Sequence, residues 1–394
     1  MISPIPLLSE GELTEKTVLC RVDFNVPLQD GKVADDTRIR ACLPTIERLI
    51  KQQNRVILCS HLGRPRGERV PSLTLAPVAQ RLSELLQAPV VFSHDVVGLG
   101  VSAIIKQLPP AGILLLENLR FDEREQRNSQ AFSRSLAGLA DLFVNDAFGT
   151  LHRQHSSITG IVEHLPSSVG LLVERELSAL KQLHEQPAQP FAGILGGAKV
   201  ADKIGVIEAL SEKLNHLFIG GAMATTFLAA KGQETGRSKI ETDKLKLAAE
   251  LLERISSLDL ELHLPVDHVV ATSFAEDAEA RVSETIGEDE MALDIGPKTV
   301  EAWSSILDSC KTVFWNGPLG VFEWEAFSKG TEGIARKVAS LDAFTVVGGG
   351  DSVAAINRTG TQDDFSHICT GGGASLLYLE GQELVGLRAI GESL

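Results

Sequence analysis

Short runs of apolar, often β-branched residues alternate along this chain with longer stretches in which apolar positions recur every three or four residues. That is the pattern of strand followed by helix from which mainly parallel sheets are built. In the first half, residues 18–22, 55–59, 113–116 and 141–144 are expected as strands, each followed by a polar loop. In the second half the expected strands are 191–195, 217–219, 312–315, 344–347 and 367–369, and four of these five lead into a glycine pair or triplet. Between the halves, Pro166 with Ser167 and Ser168 reads as a helix start. Val169, Val173, Leu177 and Leu180 repeat at helical spacing before Pro187 and Pro190 end the segment. The pattern predicts an α/β chain in two parts joined by one helix.

Length supports the division. At 394 residues the chain exceeds what one core usually supports. Hydrophobic residues at 43% and charged residues at 23% are ordinary for a globular protein. No apolar run approaches the roughly 18 residues that span a bilayer, and Met1-Ile-Ser-Pro-Ile-Pro6 lacks the basic-then-apolar layout of a secretion signal. A cytoplasmic address is the default expectation. The net charge of -15 argues against nucleic-acid or acidic-membrane partners, which need a basic footprint. Any anionic ligand must therefore be met locally, and 15 of the 21 arginines lie at or before Arg175. The 5 cysteines are an odd number and contain no C-x-x-C pair, which disfavours a disulfide framework or zinc site. Cys20 and Cys59, set in apolar runs, read as small buried hydrophobes.

Four strand-to-helix turns of the second half are glycine-rich: Gly196-Gly-Ala-Lys-Val-Ala-Asp-Lys203, Gly220-Gly-Ala-Met223, Gly348-Gly-Gly-Asp351 and Gly371-Gly-Gly-Ala374. Glycine lets backbone approach a ligand, and the following helix N-terminus offers free N–H groups to an anion. One such turn is as well explained by packing. Four at the carboxyl end of one parallel sheet point to a nucleotide phosphate. The G-x-x-x-x-G-K-[ST] and G-x-G-x-x-G patterns are absent, as are the H-R-D and D-F-G elements of protein kinases. Asp351 reads either as a helix cap or as a magnesium ligand beside a phosphate cradle. Lys199 and Lys203, four apart on one expected helix face, would repel in solvent but would serve a phosphate behind Gly196-Gly197.

The loops of the first half read differently: Asp23-Phe-Asn25, Ser60-His-Leu-Gly-Arg64, Glu117-Asn-Leu-Arg-Phe121 and the segment Asn145 to Arg153, with Arg38 in the polar Asp35-Asp-Thr-Arg-Ile-Arg40. A single loop arginine is ordinarily a surface ion pair. Repetition of strand, loop and arginine suits a small, highly anionic substrate, because guanidinium forks fit carboxylate and phosphate oxygens.

Eight ordered strings resemble the phosphoglycerate kinase family: Arg21-Val-Asp-Phe-Asn-Val-Pro27, His61-Leu-Gly-Arg-Pro65, Leu116-Glu-Asn-Leu-Arg-Phe121, Asp146-Ala-Phe-Gly-Thr150 with His152-Arg153, Gly196-Gly-Ala-Lys-Val200, Trp315-Asn-Gly-Pro318, Gly348-Gly-Gly-Asp351 and Gly371-Gly-Gly-Ala-Ser375. The resemblance runs from about residue 16 to about 381. It implies two Rossmann-like three-layer α/β/α domains. Residues 1–168 would bind 3-phosphoglycerate or 1,3-bisphosphoglycerate, 169–186 would form the hinge helix, and 187–381 would bind ATP or ADP with Mg²⁺. Residues 382–394 would pack back on the first domain, in a monomer. By position, Asp23, Phe24, Asn25, Arg38, His61, Leu62, Gly63, Arg64, Arg120 and Arg153 would form the acid-substrate site. Lys199, Lys203, Asn316, Glu323, Gly348, Gly349, Gly350, Asp351 and Ser352 would form the nucleotide side, with Asp351 the magnesium ligand. Arg38 and Lys199 are the expected catalytic cations. Leu377, Leu151 and Ala222 depart from the family's usual glutamate, small residue and glycine.

An acyl phosphate leaves a carboxylate, which needs little protonation, so positioning and charge compensation must supply the rate of an in-line transfer, with hinge closure bringing the ligands together. A dehydrogenase would need the dinucleotide fingerprint that is missing, and a regulatory nucleotide binder would not need the first-half arginines.

Overall fold

The structure, a computed structural model, describes residues 5–11 and 13–392. It divides into two compact units, one formed by residues up to Ser178 together with those from Glu383 onward, the other by Ala179–Gln382. The chain passes from the first to the second within the helix Leu171–Glu185.

In chain order the strands are β1 (Thr17–Val22), β2 (Leu28–Gln29), β3 (Lys32–Val33), β4 (Arg55–Cys59), β5 (Val90–Phe92), β6 (Ile113–Leu115), β7 (Leu142–Asp146) and β8 (Ser167–Val169) in the first unit. The second unit holds β9 (Phe191–Leu195), β10 (His216–Ile219), β11 (Glu261–His263), β12 (His268–Ala271), β13 (Arg281–Ser283), β14 (Met291–Ile295), β15 (Thr312–Asn316), β16 (Phe344–Gly348) and β17 (His367–Ile368).

The first unit's main sheet is parallel with order β5-β6-β4-β1-β7-β8, beside a small β2–β3 hairpin. Its central strand β1 is buried along Val18–Val22, which is why the strand reads as a continuous apolar run. Val18, Cys20 and Val22, two apart, face one cluster with Val56 and Leu58 of β4. Ile39, Cys42, Ile46 and Leu49, at spacings of three and four on the helix Thr37–Lys51, cover them. Cys20, Cys42 and Cys59 are buried free thiols. Burial pushes the Cys59 thiol up to about 12, so it is inert packing at neutral pH.

The second unit repeats the scheme with the parallel order β11-β10-β9-β15-β16-β17. Trp303, Trp315 and Ile334 belong to its central core. The pattern had not indicated the antiparallel sheet β13-β12-β14. Its strands are short, and β13 is mostly exposed, so neither a long apolar run nor clean alternation marks them.

The expected helix start at Pro166–Ser168 requires correction. Residues 167–169 form β8, paired with β7, and the helix begins at Leu171. Its cap comes from far along the chain: Asp146 Oδ1 accepts from Leu172 N at 2.9 Å and Val173 N at 3.3 Å. A local serine is not needed where a remote carboxylate meets the helix's free N–H groups. Gly170 makes room, since a Cβ there would collide with that carboxylate. Among the described residues, no helix is long and apolar enough to cross a membrane.

Candidate active site

In the first unit, the loops leaving β1, β4, β6 and β7 at their carboxyl ends gather the predicted polar residues, as expected outside the strand ends of an open parallel sheet. Arg38 Nη1 donates to Asp23 Oδ2 at 3.0 Å and to the Asn25 carbonyl at 3.3 Å. Asn25 Oδ1 accepts from Gly63 N at 2.9 Å, and the Gly63 carbonyl accepts from Arg120 Nη1 at 2.6 Å. His61 lies between two guanidinium groups, with Arg21 Nη2 3.1 Å from Nδ1 and Arg153 Nη1 3.2 Å from Nε2. Arg64 is exposed beside this group. Phe24 and Leu62 turn their side chains into the core and reach the site only through backbone: Phe24 N donates to Ser60 Oγ and Leu62 N to Asn118 Oδ1.

This basin is held short of counter-charge. Arg120 is lowered to about 10, first by burial and then by Arg153 and Arg21. Arg153 is lowered as well, chiefly by burial, with Asp23 opposing. Burial, then the neighbouring arginines Arg21, Arg120, Arg153 and Arg38, drives His61 far below its ordinary value, so the imidazole stays neutral. His155 falls to about 4, first by burial and then by Arg120, Arg21 and Arg153. Cations destabilised by each other and by partial desolvation form a receptor for an anion.

Sequence reasoning had passed over Arg21, His155 and the pair Glu125–Ser157. Arg21 is 1% exposed and donates through Nε to Ser157 Oγ at 3.1 Å, and that hydroxyl donates to Glu125 Oε1 at 2.6 Å. The signal for Arg21 was present: a charged residue inside an otherwise apolar buried strand needs partners. Nothing local marks Glu125, whose partners lie 32 residues away.

In the second unit the site forms where the strand order reverses, between β9 and β15. Gly196 N donates to the Asn316 carbonyl at 3.0 Å and Gly197 N to the Pro318 carbonyl at 2.8 Å. Gly317 has φ 101°, and a Cβ at Gly196 would collide with the Pro318 carbonyl, so this close crossing of two backbones needs glycine. Two cavities open here. One of about 270 Å³ is lined by Gly196, Lys199, Asp202, Lys203, Asn316 and Asp351, among others. The other, of about 520 Å³, is mostly apolar and is lined by Ala222, Leu293, Leu319, Val321, Phe322 and Glu323, among others. Asp351 borders both.

Asn316 is buried; its Oδ1 accepts from Lys203 Nζ while its Nδ2 has no partner and faces this junction. Desolvation by burial lowers the Lys203 ammonium below its ordinary value, opposed by Asp202 and Asp351. Ser352 Oγ accepts from Gly317 N at 2.6 Å, tying the turn after β15 to the helix Gly350–Thr359. The lysines do not share a helix face: the helix starts at Ile204, and Lys199 and Lys203 lie in the turn before it. The glycines at 196–197 favour a turn over an early helix, and the turn is what aims both side chains at one cavity. Of the four glycine turns, Gly371-Gly-Gly lines neither cavity.

The departures from the family pattern are accommodated by packing. Leu151 is buried against Gly386 of the helix Val385–Glu392, Ala222 lines the larger cavity, and Leu377 is half-buried in the helix Gly373–Leu379.

A family model described as phosphoglycerate kinase matches residues 8–382. The phosphoglycerate kinase of Clostridium tetani is 50% identical over 390 residues, covering 98% of this chain and 97% of that protein. That of Rippkaea orientalis is 50% identical over 391 residues, 98% of each. Among solved structures, phosphoglycerate kinase from Coxiella burnetii superposes with a TM-score of 0.88 at 37% identity, covering 99% of both chains. The enzyme from Pyrococcus horikoshii does so at 0.88 and 34%, again over 99% of both.

Proposed function

The chain belongs to the phosphoglycerate kinase family and carries out its reaction, and we propose that the arginine basin of the first unit holds the phosphoglycerate while the paired cavities of the second hold the nucleotide. The reaction is the reversible transfer of the acyl phosphate of 1,3-bisphosphoglycerate to ADP, giving 3-phosphoglycerate and ATP. The observation that carries the assignment is the difference between the two sites. One is a cluster of guanidinium groups with depressed basicity and little counter-charge. The other is a glycine-lined crossing beside a larger, mostly apolar cavity, suited to phosphates at one end and a base at the other.

The leaving group is a carboxylate, so no proton need be delivered and rate comes from alignment and charge compensation. Among the described residues, the hydrogen bonds of Arg38 use Nη1 alone, which holds the fork through Asp23 and Asn25 and leaves Nε and Nη2 for the migrating phosphoryl. Lys199, exposed at the mouth of the smaller cavity, supplies the second cation. Asn316 Nδ2, buried without a partner, donates to a phosphate oxygen. Neutral His61 sits between Arg21 and Arg153, accepts from one of them through its single unprotonated ring nitrogen, and adds no charge.

A magnesium ion would be held on the nucleotide side. Asp351, a lone carboxylate beside Lys199, Lys203 and the glycine turn, fits an ion that takes one or two carboxylates with phosphates and water. Bound there, the ion would neutralise charge on the nucleotide's phosphate oxygens. Because each ligand has its own unit, transfer requires a closing motion that brings the ligands together and excludes water.

The test is ATP-dependent phosphorylation of 3-phosphoglycerate, read as NADH oxidation through excess glyceraldehyde-3-phosphate dehydrogenase. Arg38→Ala should lower kcat by about 10² or more, by analogy with lost oxyanion donors. Asp351→Asn should raise the magnesium concentration needed for half-maximal rate, which Arg38→Ala should leave alone. Near-normal kcat in Arg38→Ala, or an unchanged magnesium requirement in Asp351→Asn, removes the corresponding role.

A further inference from the structure

A second cluster of ligating side chains lies away from the phosphates, on the edge of the second unit's sheet. His216 is the first residue of β10, and Glu261 and His263 are the ends of the edge strand β11. Glu261 and His263, two apart, project from the same face of β11, and the ladder pairs His216 with Glu261 and Phe218 with His263. That register brings three donor atoms together: His216 Nδ1 lies 3.2 Å from His263 Nε2 and 3.5 Å from Glu261 Oε2, and the latter two are 3.8 Å apart.

We propose that His216, His263 and Glu261 form a binding site for one divalent transition-metal ion of the zinc class, with water completing the coordination. Tetrahedral zinc with bonds of about 2.0–2.2 Å sets its ligand atoms about 3.3–3.6 Å apart, and the separations of 3.2, 3.5 and 3.8 Å here lie within a few tenths of an ångström of that range before any side chain moves. Two imidazoles and one carboxylate suit Zn²⁺, Co²⁺ or Ni²⁺ and not magnesium, which prefers an all-oxygen shell. The rings are held for the purpose. His263 stacks on Phe218 with centroids 4.6 Å apart and planes at 23°, and Phe218 rests against Trp303 at 5.2 Å. Both imidazole side chains are 16% exposed, whereas Glu261 is 72% exposed and reaches inward from solvent. The cluster sits at the start of β10, while the cavities lie beyond its end at Gly220–Gly221, so the ion takes no part in phosphoryl transfer. It clasps the edge strand to its neighbour, where unpaired backbone is otherwise open.

The experiment is titration of the chelator-treated full chain with zinc by calorimetry and with cobalt by visible absorption. The expected result is one equivalent bound with the intense bands of tetrahedral Co²⁺, and slower amide exchange at residues 261–263 once loaded. His216→Ala and His263→Ala should weaken binding by about 10²-fold or more, since loss of a mere supporting partner already costs 10–100-fold. Glu261→Gln, at an exposed position that cannot unfold the unit, should weaken it and alter the cobalt spectrum. All three should keep the kcat of the metal-free enzyme. No stoichiometric uptake would show that the imidazoles share only a proton and would overturn the proposal, as would binding that all three variants leave unchanged.

Discussion

Acid should weaken the first unit through the histidines of its arginine basin, and His155 allows the effect to be sized. Its imidazole falls from 6.5 to about 4, because burial strips its solvent and Arg120, Arg21 and Arg153 oppose a further positive charge. The folded chain therefore keeps His155 neutral at pH 5, where the unfolded chain has already taken up the proton. Its contribution to stability is complete above about pH 6.5 and is lost as pH falls toward 4. At 1.36 kcal/mol per pH unit the interval is worth about 3.4 kcal/mol. The side chain keeps 13% exposure, and the ring is only partly desolvated, so about 2 kcal/mol is the better expectation.

Other groups titrate over the same range, so the measurement must be a difference. His61 and His152 are lowered too and steepen the loss. Asp146 works the other way: burial raises it to about 6, so the folded state holds its proton, and that carboxyl costs stability as pH rises from about 4 to 6. His155→Gln cancels these common contributions. Urea denaturation of wild type and variant, followed by circular dichroism at constant ionic strength, should show a stability gap that moves by about 2 kcal/mol against wild type between pH 7.5 and 4.5. Saturating 3-phosphoglycerate should flatten the wild-type slope, because an anion among the arginines makes a protonated histidine tolerable. A gap independent of pH would refute the picture of a basin that resists protonation.

Two further outcomes follow from packing and from the two-site layout. A Cβ at Gly386 would lie 2.8 Å from Leu151 Cδ2 and 2.9 Å from Ile158 Cγ2, so Gly386→Ala should cost about 1–3 kcal/mol in urea denaturation. Adding Leu151→Ala should recover part of that loss, and strict additivity of the two changes would sink the pairing. Small-angle scattering should give a smaller radius of gyration with 3-phosphoglycerate and a non-hydrolysable ATP analogue together than with either alone, and equal radii would count against closure.

The strands that carry the sites were legible because central parallel strands are buried on both faces and announce themselves as apolar runs. The first unit's cations were legible by repetition, since four loops each delivered a polar group to the same end of one sheet. What stayed hidden depends on distance along the chain. Asp146 caps a helix that starts 25 residues later, and without that partner Ser167 and Ser168 look like the better cap. Arg21 and Glu125 meet through Ser157, more than 30 residues from the nearer of the two. The lysine pair was assigned a helix because spacing of four is read as one face. The glycines ahead of it delay the helix to Ile204, and only the crossing of β9 and β15 shows why they must be glycine.

The two units put one architecture to opposite electrostatic uses, and the chemistry explains why both are needed. A nucleotide can be held largely by backbone, because glycine turns and a helix N-terminus offer N–H groups, and two lysines, Lys199 and Lys203, suffice beside them. A small bisphosphorylated acid has no base or ribose to grip, so its affinity must come from side-chain charge, and the chain places 15 of its 21 arginines at or before Arg175 despite a net charge of -15. Burial, reinforced by neighbouring arginines, depresses the basicity of Arg120 and Arg153 and of His61, His152 and His155, which keeps these imidazoles neutral. The reaction tolerates this because its leaving carboxylate asks for no proton. A phosphoryl transfer to a poorer leaving group would need an acid that this basin, by its own field, cannot keep protonated at neutral pH.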